Sequence, residues 1–258
     1  MKSMPFRISS ILGGEIEYSY IASSKGDNAT IVLLHEGLGS LSTWKNFPDL
    51  VHYKTGCAVL AYSRHGYGNS SFVKTAFDIC YMHQEALEVL PKLLDDLEIT
   101  NPILYGHSDG ASIALIHTGG LKRVVRAIIL EAPHVFVESI SINGIKEAKK
   151  AFENGPLKSS LAKHHADPDS TFANWSNAWL NPDFLNWNIE SYLEHIKCPT
   201  LLIQGRNDAY GTLRQIDAIE TGVRGICAKI VLDDTGHSPY REATEAVLST
   251  VNNFILKL

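Results

Sequence analysis

Six short apolar runs recur along this 258-residue chain, and most of the stretches between them show a helical pattern. Each run is continuous rather than alternating, as expected for strands that are buried on both faces. The runs are TIVLL at 30–34, CAVLAY at 57–62, ILY at 103–105, AIIL at 127–130, TLLI at 200–203 and KIVL at 229–232. Strands that alternate with helices predict an α/β protein with a mostly parallel central β-sheet and helices on both faces.

Helical patterns occupy three segments outside these runs. Apolar residues recur near every third or fourth position over 78–97, and helices are also predicted over 111–118 and 243–256. The stretch EIEYSY at 15–20 instead alternates polar and apolar residues. It is therefore predicted to be an antiparallel strand at the edge of the sheet.

The interval between the fourth and fifth runs is much longer than a crossover requires, since one helix needs only about 12 residues. Helical patterns fill it at 145–152, 156–165 and 170–180. A helical insertion here would lie over the carboxyl edge of the sheet, where such sheets bind ligands. We therefore predict an α/β core formed by 1–133 and 197–258, and a helical cap segment at 134–196.

The charge and the apolar pattern exclude several classes of partner. Lys and Arg number 23 against 28 Asp and Glu, so the net charge is −5 and nucleic acid is not expected as a partner. No apolar run approaches about 18 residues, and the N-terminal segment lacks the apolar core of a signal peptide, so no membrane partner is expected. The oligomeric state stays open, with a homodimer as one candidate.

The four cysteines (Cys57, Cys80, Cys198 and Cys227) are far apart and form no CxxC pair. We interpret them as buried thiols of a cytoplasmic protein rather than as disulfide or metal-binding residues. The sequence contains no GxGxxG fingerprint and no Walker loop, so no cofactor is expected.

The segment GHSDG at 106–110 places Ser108 between two glycines, after an apolar run and before a helical segment. This is the G-x-S-x-G pattern in its strand–turn–helix context. Glycines are needed there because bulkier residues would clash in the sharp turn that holds a reactive serine hydroxyl in the open. Ser108 is therefore a candidate nucleophile, and a merely structural tight turn is the alternative.

A serine needs a base, and the base needs an acid that orients it. Asp208 in GRND directly follows the fifth run, and His237 in GHS follows the sixth. The carboxyl ends of parallel strands meet at one edge of a sheet, so both side chains are expected near Ser108. Glu131, at the end of the fourth run, is an alternative acid.

Four motifs together give the chain a resemblance to the α/β-hydrolase superfamily that covers nearly its whole length. They are LLHEGLG at 33–39, SRHGYGNS at 63–70, GHSDG at 106–110, and GRND at 205–208 with GHS at 236–238. The resemblance implies that Ser108 is the nucleophile, His237 the general base and Asp208 the acid. Glu131 stays an alternative because some hydrolases of this fold draw their acid from that strand.

The resemblance also implies the donors that would stabilise an oxyanion. One is the backbone amide of Asp109, directly after the nucleophile, and the other comes from the loop HEGLG. Gly37 is the preferred second donor and Leu38 the next.

Two positions depart from the usual superfamily pattern. Glu36 follows His35 where many relatives have glycine, and we expect its side chain to turn away or to pair with Arg64 or His65. Ser63 stands where many relatives have an aspartate, and we interpret its loop as structural, with Arg64 holding loops together.

The cap segment is rich in aromatic residues. Phe172, Trp175 and Trp179 fall on one face of a predicted helix. They could form the core of the segment, and Trp175 and Trp179 are also candidates for lining an apolar substrate pocket. His164, His165 and Asp167 lack the spacing of a metal site, so no metal is expected.

The resemblance implies a serine hydrolase that cleaves a small carboxylic ester or lactone through an acyl-enzyme. Two alternatives use the same fold. One is hydrolysis of a carbon–carbon bond in a diketone-type substrate, and the other is a ligand receptor with little turnover. Fold alone does not separate them.

Overall fold

An eight-stranded sheet organises this computed structural model, which describes residues 6–24, 26, 29–73 and 75–258. The strands are β1 (Arg7–Ile11), β2 (Gly14–Ile21), β3 (Thr30–Leu34), β4 (Ala58–Tyr62), β5 (Ile103–His107), β6 (Ala127–Glu131), β7 (Thr200–Gly205) and β8 (Cys227–Leu232). Their order in the sheet is β1-β2-β4-β3-β5-β6-β7-β8. Strands β3 to β8 are parallel, while β1 and β2 are antiparallel at one end. The predicted mostly parallel α/β sheet is confirmed.

Helices connect the strands. They are α1 (Phe47–Thr55), α2 (Tyr81–Gln84), α3 (Leu90–Asp96), α4 (Asp109–Gly120), α5 (Ser139–Asn154), α6 (Leu157–Leu161), α7 (Pro168–Trp179), α8 (Arg214–Gly222), α9 (Pro239–Glu242) and α10 (Thr244–Ile255). A π-helical stretch at Glu85–Val89 joins α2 to α3, and short 3₁₀ helices occupy Leu41–Trp44, Pro182–Asn186 and Glu190–His195. Within the described residues, no helix is both long and apolar enough to cross a membrane.

Strands β3 to β7 are buried on both faces, because their alternating side chains meet an apolar layer on each side of the sheet. The expectation that the run at 229–232 is also buried on both faces is wrong, because β8 lies at the edge of the sheet and is only partly buried. In β3, Ile31 and Leu33 join the apolar layer that contains α1 and α10, whereas Val32 and Leu34 join the layer that contains α3, α4 and α8. The continuous apolar runs of the sequence are thus explained by a core on each side of the sheet.

The prediction that 15–20 forms an antiparallel strand is confirmed, but its predicted position at the edge of the sheet is wrong. This stretch lies in β2, which pairs with β1 on one side and β4 on the other. Strand β1 was not predicted, because its RISSI segment is short and polar at its centre. Helix α8 was not predicted either, and it buries only Ile216 and Ile219 among its apolar residues.

The four cysteines are free thiols, but the expectation that all are buried is wrong. Cys57 is buried, Cys198 and Cys227 are half-buried, and Cys80 is exposed. Cys80 lies outside the strands, immediately before α2, where no sheet neighbour covers it.

The segment 134–196 contains α5, α6 and α7, which correspond to the three predicted helical stretches. Aromatic stacking contributes to its interior, since the rings of Phe152 and Phe172 stack with centroids 4.0 Å apart. The segment is fixed to the core by hydrogen bonds from Ala166 N to Gly68 O (2.9 Å) and from Thr171 Oγ1 to Gly66 O (2.8 Å).

Close packing of α4 against β3 depends on Gly110. A Cβ at this position would overlap the carbonyl oxygen of Leu34 and lie 2.8 Å from the carbonyl oxygen of His35. Cβ atoms in proteins are essentially never found closer than 3.0 Å to such atoms. Because both neighbours are backbone atoms, we expect Gly110→Ala to lower the free energy of unfolding by roughly 3 kcal/mol or more. Denaturant titration would measure the loss.

Gly120→Ala is the matched control, because a Cβ there, at the end of the same helix, meets only side-chain atoms of Leu87 and Tyr192. Its effect should stay within about 1 kcal/mol. Equal stability losses in the two variants would contradict this account of the α4–β3 contact.

Candidate active site

The turn between β5 and α4 holds Ser108 in a strained backbone conformation with positive φ, at φ 53° and ψ −117°. A non-glycine residue adopts positive φ only where its surroundings enforce it. A Cβ on Gly106 would overlap the carbonyl of Gly110, so the turn closes only with glycine there. The carbonyl of Ser108 accepts hydrogen bonds from Ala111 N (2.9 Å) and Ser112 N (3.1 Å), which begins α4.

Ser108, His237 and Asp208 form one line of hydrogen bonds. His237 Nε2 lies 2.9 Å from Ser108 Oγ, and His237 Nδ1 lies 2.8 Å from both carboxylate oxygens of Asp208. A carboxylate can only accept, so Nδ1 carries the imidazole proton. Nε2 is then the acceptor, and the serine hydroxyl donates to it. The structure thus brings together the three residues that the sequence analysis selected.

Asp208 is held ionised by its surroundings. Burial alone would raise its pKa, but the hydrogen bond and charge of His237 and the amide of Tyr210 outweigh burial and hold the pKa below its usual value. The Tyr210 amide lies 2.7 Å from Oδ1, and Gln204 Nε2 lies 2.7 Å from Oδ2. The carboxylate therefore has fixed donors that set its orientation toward His237.

Glu131 does not occupy the position of the acid. Both ring nitrogens of His237 are engaged by Ser108 and Asp208, whereas the Glu131 carboxyl accepts a hydrogen bond from Tyr105 Oη (2.7 Å). Burial raises the pKa of Glu131 to about 8. The geometry therefore favours Asp208 as the orienting acid.

The candidate oxyanion residues lie at one wall of the cavity beside Ser108. Asp109 is the first residue of α4, so its N–H has no acceptor within the helix. Its carboxylate accepts a hydrogen bond from Tyr81 Oη (2.5 Å). Gly37 and Leu38 line the same cavity as Ser108 and Asp109. The residues whose backbone amides are the expected oxyanion donors thus line the same cavity as Ser108.

Glu36 also lines this cavity, and its partner differs from the one expected. Arg64 Nη2 donates to the backbone carbonyl of Glu36 (2.9 Å), while the Glu36 carboxyl lies 3.6 Å from Arg241 Nη2. Burial raises the pKa of Glu36, although Arg241 opposes the shift. The Glu36 side chain therefore pairs with Arg241 of α9. The sequence could not predict this pairing, because the two residues are far apart along the chain.

The loop that contains Ser63 is hydrogen-bonded to β2 and to the 3₁₀ helix at Leu41–Trp44. Ser63 Oγ donates to Glu17 Oε1 (2.6 Å) and accepts from Leu41 N (2.7 Å). Asn69 donates to both Glu17 carboxylate oxygens. Glu17 in β2 therefore supplies a carboxylate to a loop whose own aspartate position is a serine.

Trp175 and Trp179 of α7 both line the cavity, but their indole N–H groups differ. Trp179 Nε1 donates to Tyr81 Oη (2.9 Å). Trp175 Nε1 is buried and has no hydrogen-bond partner among the described residues. Phe172, on the same face, instead stacks against Phe152 inside the segment.

The two adjacent histidines of the segment 134–196 form hydrogen bonds with residues of the core. His164 Nδ1 contacts the Ser42 hydroxyl (2.9 Å), His165 Nε2 donates to the Leu38 carbonyl (3.0 Å), and Asp167 caps α7. Among the described residues, no three His, Cys, Asp or Glu side chains are grouped as a metal site would require.

Two cavity residues close to His237 were not predicted from the sequence. The ring of Tyr210 lies 4.6 Å from the His237 ring, and that of His134 lies 5.9 Å from it. Both residues line the cavity. Each follows the carboxyl end of a parallel strand within five residues, and that position was the signal that could have identified them.

The cavity above Ser108 has a volume of about 400 Å³. Core residues form its floor, and apolar side chains of the segment 134–196 form much of the rest of its wall, including Ile145, Leu157 and Leu161. A cavity of this size and composition suits a small molecule with an apolar part.

Comparisons with known proteins agree with this geometry. Residues 31–250 match the Alpha/beta hydrolase family. The enol-lactonase from Burkholderia xenovorans LB400 superposes with a TM-score of 0.76 at 20% identity, covering 97% of this chain and 100% of that chain. The 2-hydroxy-6-oxo-6-phenylhexa-2,4-dienoate hydrolase from Rhodococcus sp. strain RHA1 superposes with a TM-score of 0.79 at 14% identity, covering 98% and 99%. Similarities at these identities show the fold alone.

A sequence relative is the proline iminopeptidase from Lactobacillus delbrueckii subsp. lactis. It is 32% identical over 116 residues, which are 45% of this chain and 40% of the relative. Because less than half of either protein is matched, the similarity carries no activity over to this chain.

Paired substitutions separate the two candidate acids. Asp208→Asn should lower kcat/KM by about 10³- to 10⁴-fold, because an amide cannot hold His237 in the required tautomer. Glu131→Gln should stay within about 3-fold of wild type, since Glu131 makes no bond to His237. Steady-state hydrolysis of a nitrophenyl ester would measure both. A large loss in Glu131→Gln with little loss in Asp208→Asn would reverse the assignment.

Glu131 should also make stability depend on pH. Its pKa of about 8 lies above the usual 4.5, so the folded protein keeps a proton that the unfolded chain releases between these values. Stability is therefore lost as pH rises through this window. Relative to Glu131→Gln, the free energy of unfolding of wild type should fall by about 1.4 kcal/mol per pH unit between pH 5.5 and 7. Denaturant titrations at several pH values would show a constant difference if the carboxyl were ionised throughout.

Proposed function

Because this chain belongs to the alpha/beta hydrolase family, we propose that it is a serine hydrolase that cleaves a small carboxylic ester or lactone through an acyl-enzyme. The observation that carries the proposal is the continuous hydrogen-bond line from Ser108 Oγ through His237 to Asp208, with lengths of 2.9 and 2.8 Å. This line ends at a cavity of about 400 Å³, and the segment 134–196 would act as the cap that shapes it.

In the proposed reaction, Ser108 Oγ attacks the carbonyl carbon while its proton passes to His237 Nε2. The carbonyl π electrons move onto oxygen, and the resulting oxyanion accepts hydrogen bonds from the amides of Asp109 and Gly37. The bond to the leaving oxygen then breaks, and His237 returns the proton to that oxygen. Water, activated by His237, releases the acid from Ser108 by the same steps.

The charges in the cavity favour an ester over a substrate recognised by a free amino end. An ammonium group needs an available carboxylate, and two carboxylates line the cavity. Glu36 lies 3.6 Å from the Arg241 guanidinium, and Asp109 accepts a hydrogen bond from Tyr81. Asp109 is therefore engaged, and the charge of Glu36 is opposed by Arg241, although Glu36 Oε2 has no hydrogen-bond partner among the described residues. On this balance of charge we propose an ester or lactone rather than an aminoacyl substrate.

Removal of either reacting side chain tests the proposal. Nitrophenyl esters of increasing acyl length are offered to wild type, Ser108→Ala and His237→Ala. We expect steady turnover by wild type and a loss on the order of 10⁴-fold or more in kcat/KM in each variant. The preferred acyl length would measure the depth of the cavity beneath the cap.

The other outcomes identify other functions of the same site. Ser108→Ala with wild-type turnover would overturn the mechanism. If wild type hydrolyses no ester but cleaves a vinylogous diketone, the bond that the enzyme cleaves is a carbon–carbon bond and not an ester. Thermal stabilisation by a ligand without multiple turnover would indicate a receptor.

A further inference from the structure

An indole N–H without a partner lies in the wall of the cavity. Trp175 is only 7% exposed, and its Nε1 is buried with no hydrogen-bond acceptor among the described residues. An indole nitrogen can only donate, and a buried donor left unpaired costs about 1–3 kcal/mol. Trp44 and Trp187 share this lack of a partner, but of the three only Trp175 lines the cavity that contains Ser108. A bound substrate could supply the missing acceptor.

The unpaired N–H lies directly over Gly37. A Cβ on Gly37 would overlap Trp175 Nε1 and lie 2.6 Å from Cδ1 and 2.8 Å from Cε2 of the same ring. Because a carbon–carbon bond is about 1.5 Å, Nε1 lies within about 4 Å of the Gly37 Cα. This contact explains why position 37 has no side chain. It also places the indole N–H beside the backbone amide that is the preferred second oxyanion donor.

The distances allow both groups to reach one oxygen. The Gly37 nitrogen is about 1.5 Å from its own Cα, so the two donor nitrogens are at most about 5.5 Å apart. Two N–H groups that share an acceptor at about 2.9 Å each are separated by less than about 5.8 Å. The Trp175 N–H and the Gly37 N–H therefore satisfy the distance limit for a common acceptor beside Ser108.

We propose that Trp175 Nε1–H is a third hydrogen-bond donor to the oxyanion of the tetrahedral intermediate, supplied by the cap. This inference rests on the proposed function and deepens it. When Ser108 Oγ bonds to the carbonyl carbon, the carbonyl π pair moves to oxygen and the serine proton passes to His237. Trp175 transfers no proton and only donates a hydrogen bond to the new charge. Catalysis then requires α7 to lie against the loop at Gly37.

The sharpest test removes the N–H and keeps the ring. Trp175→3-benzothienylalanine places sulfur where the nitrogen stands and preserves the two-ring shape, and Trp175→Phe is a second variant. Removing one oxyanion donor typically costs about 10²- to 10³-fold in kcat. We expect a fall in kcat of about 10- to 100-fold, because two amides remain, with KM changed less than about 3-fold.

Trp187 provides the matched control. It is equally buried at 7% exposure, its Nε1 also has no partner in the part of the chain that the structure describes, and it stacks on Phe184 within the same segment 134–196. Trp187→3-benzothienylalanine should leave kcat unchanged. Melting temperatures of both sulfur variants should equal or exceed that of wild type, because each removes a buried unpaired donor. A loss of kcat at Trp175 alone then reports the missing hydrogen bond.

A second readout separates this inference from the proposed function. The rate at which a fluorophosphonate labels Ser108 also depends on stabilising charge on an oxygen in the same place, whatever the natural substrate is. We expect the Trp175 sulfur variant to be labelled at least about 10-fold more slowly than wild type. Slower labelling without any ester turnover would support this inference and overturn the ester proposal.

Three results would overturn the role of Trp175. The first is kcat and labelling within about 2-fold of wild type in the sulfur variant. The second is an equal loss in the Trp187 control. The third is a rise in KM alone, which would show a contact made equally in the ground state and in the transition state.

Discussion

The positive-φ backbone of Ser108 is the constraint on which the rest of the site depends. The conformation is held by the bond from Ser108 N to the Glu131 carbonyl (2.9 Å) and by the start of α4, and it needs glycine at positions 106 and 110. It raises the hydroxyl above the carboxyl edge of the sheet. The carboxyl ends of β7 and β8 lie at the same edge of the parallel sheet. The loops that follow these two strands therefore place Asp208 and His237 beside that hydroxyl.

The carboxyl groups around the site differ in their burial and in their partners. Asp208 is ionised and faces His237, and the fully buried Glu131 lies behind with a pKa raised to about 8 by burial. Glu36 lies at the cavity wall and is balanced by Arg241. An oxyanion formed at Ser108 would meet donors first, because the nearby carboxylate of Asp109 is turned toward Tyr81.

Much of the fold could be predicted because a strand that is buried on both faces is continuously apolar. The six runs became β3 to β8, and the turn chemistry of GHSDG identified Ser108. What failed depended on partners distant in sequence. The antiparallel β2 alternates like an edge strand, yet β1 covers its outer side. The pairing of Glu36 with Arg241 joins the loop after β3 to α9, and no local pattern encodes it. The unpaired N–H of Trp175 could be recognised only once α7 was placed over Gly37.

The central claim is that Ser108 is a nucleophile activated by His237. The most direct test is the site of covalent reaction with a stoichiometric fluorophosphonate, located by mass spectrometry of the intact chain and of its peptides. The account predicts one adduct per chain, on the peptide that contains Ser108, and almost none in His237→Ala. An adduct on another residue, or equal labelling of Ser108 without His237, would contradict it.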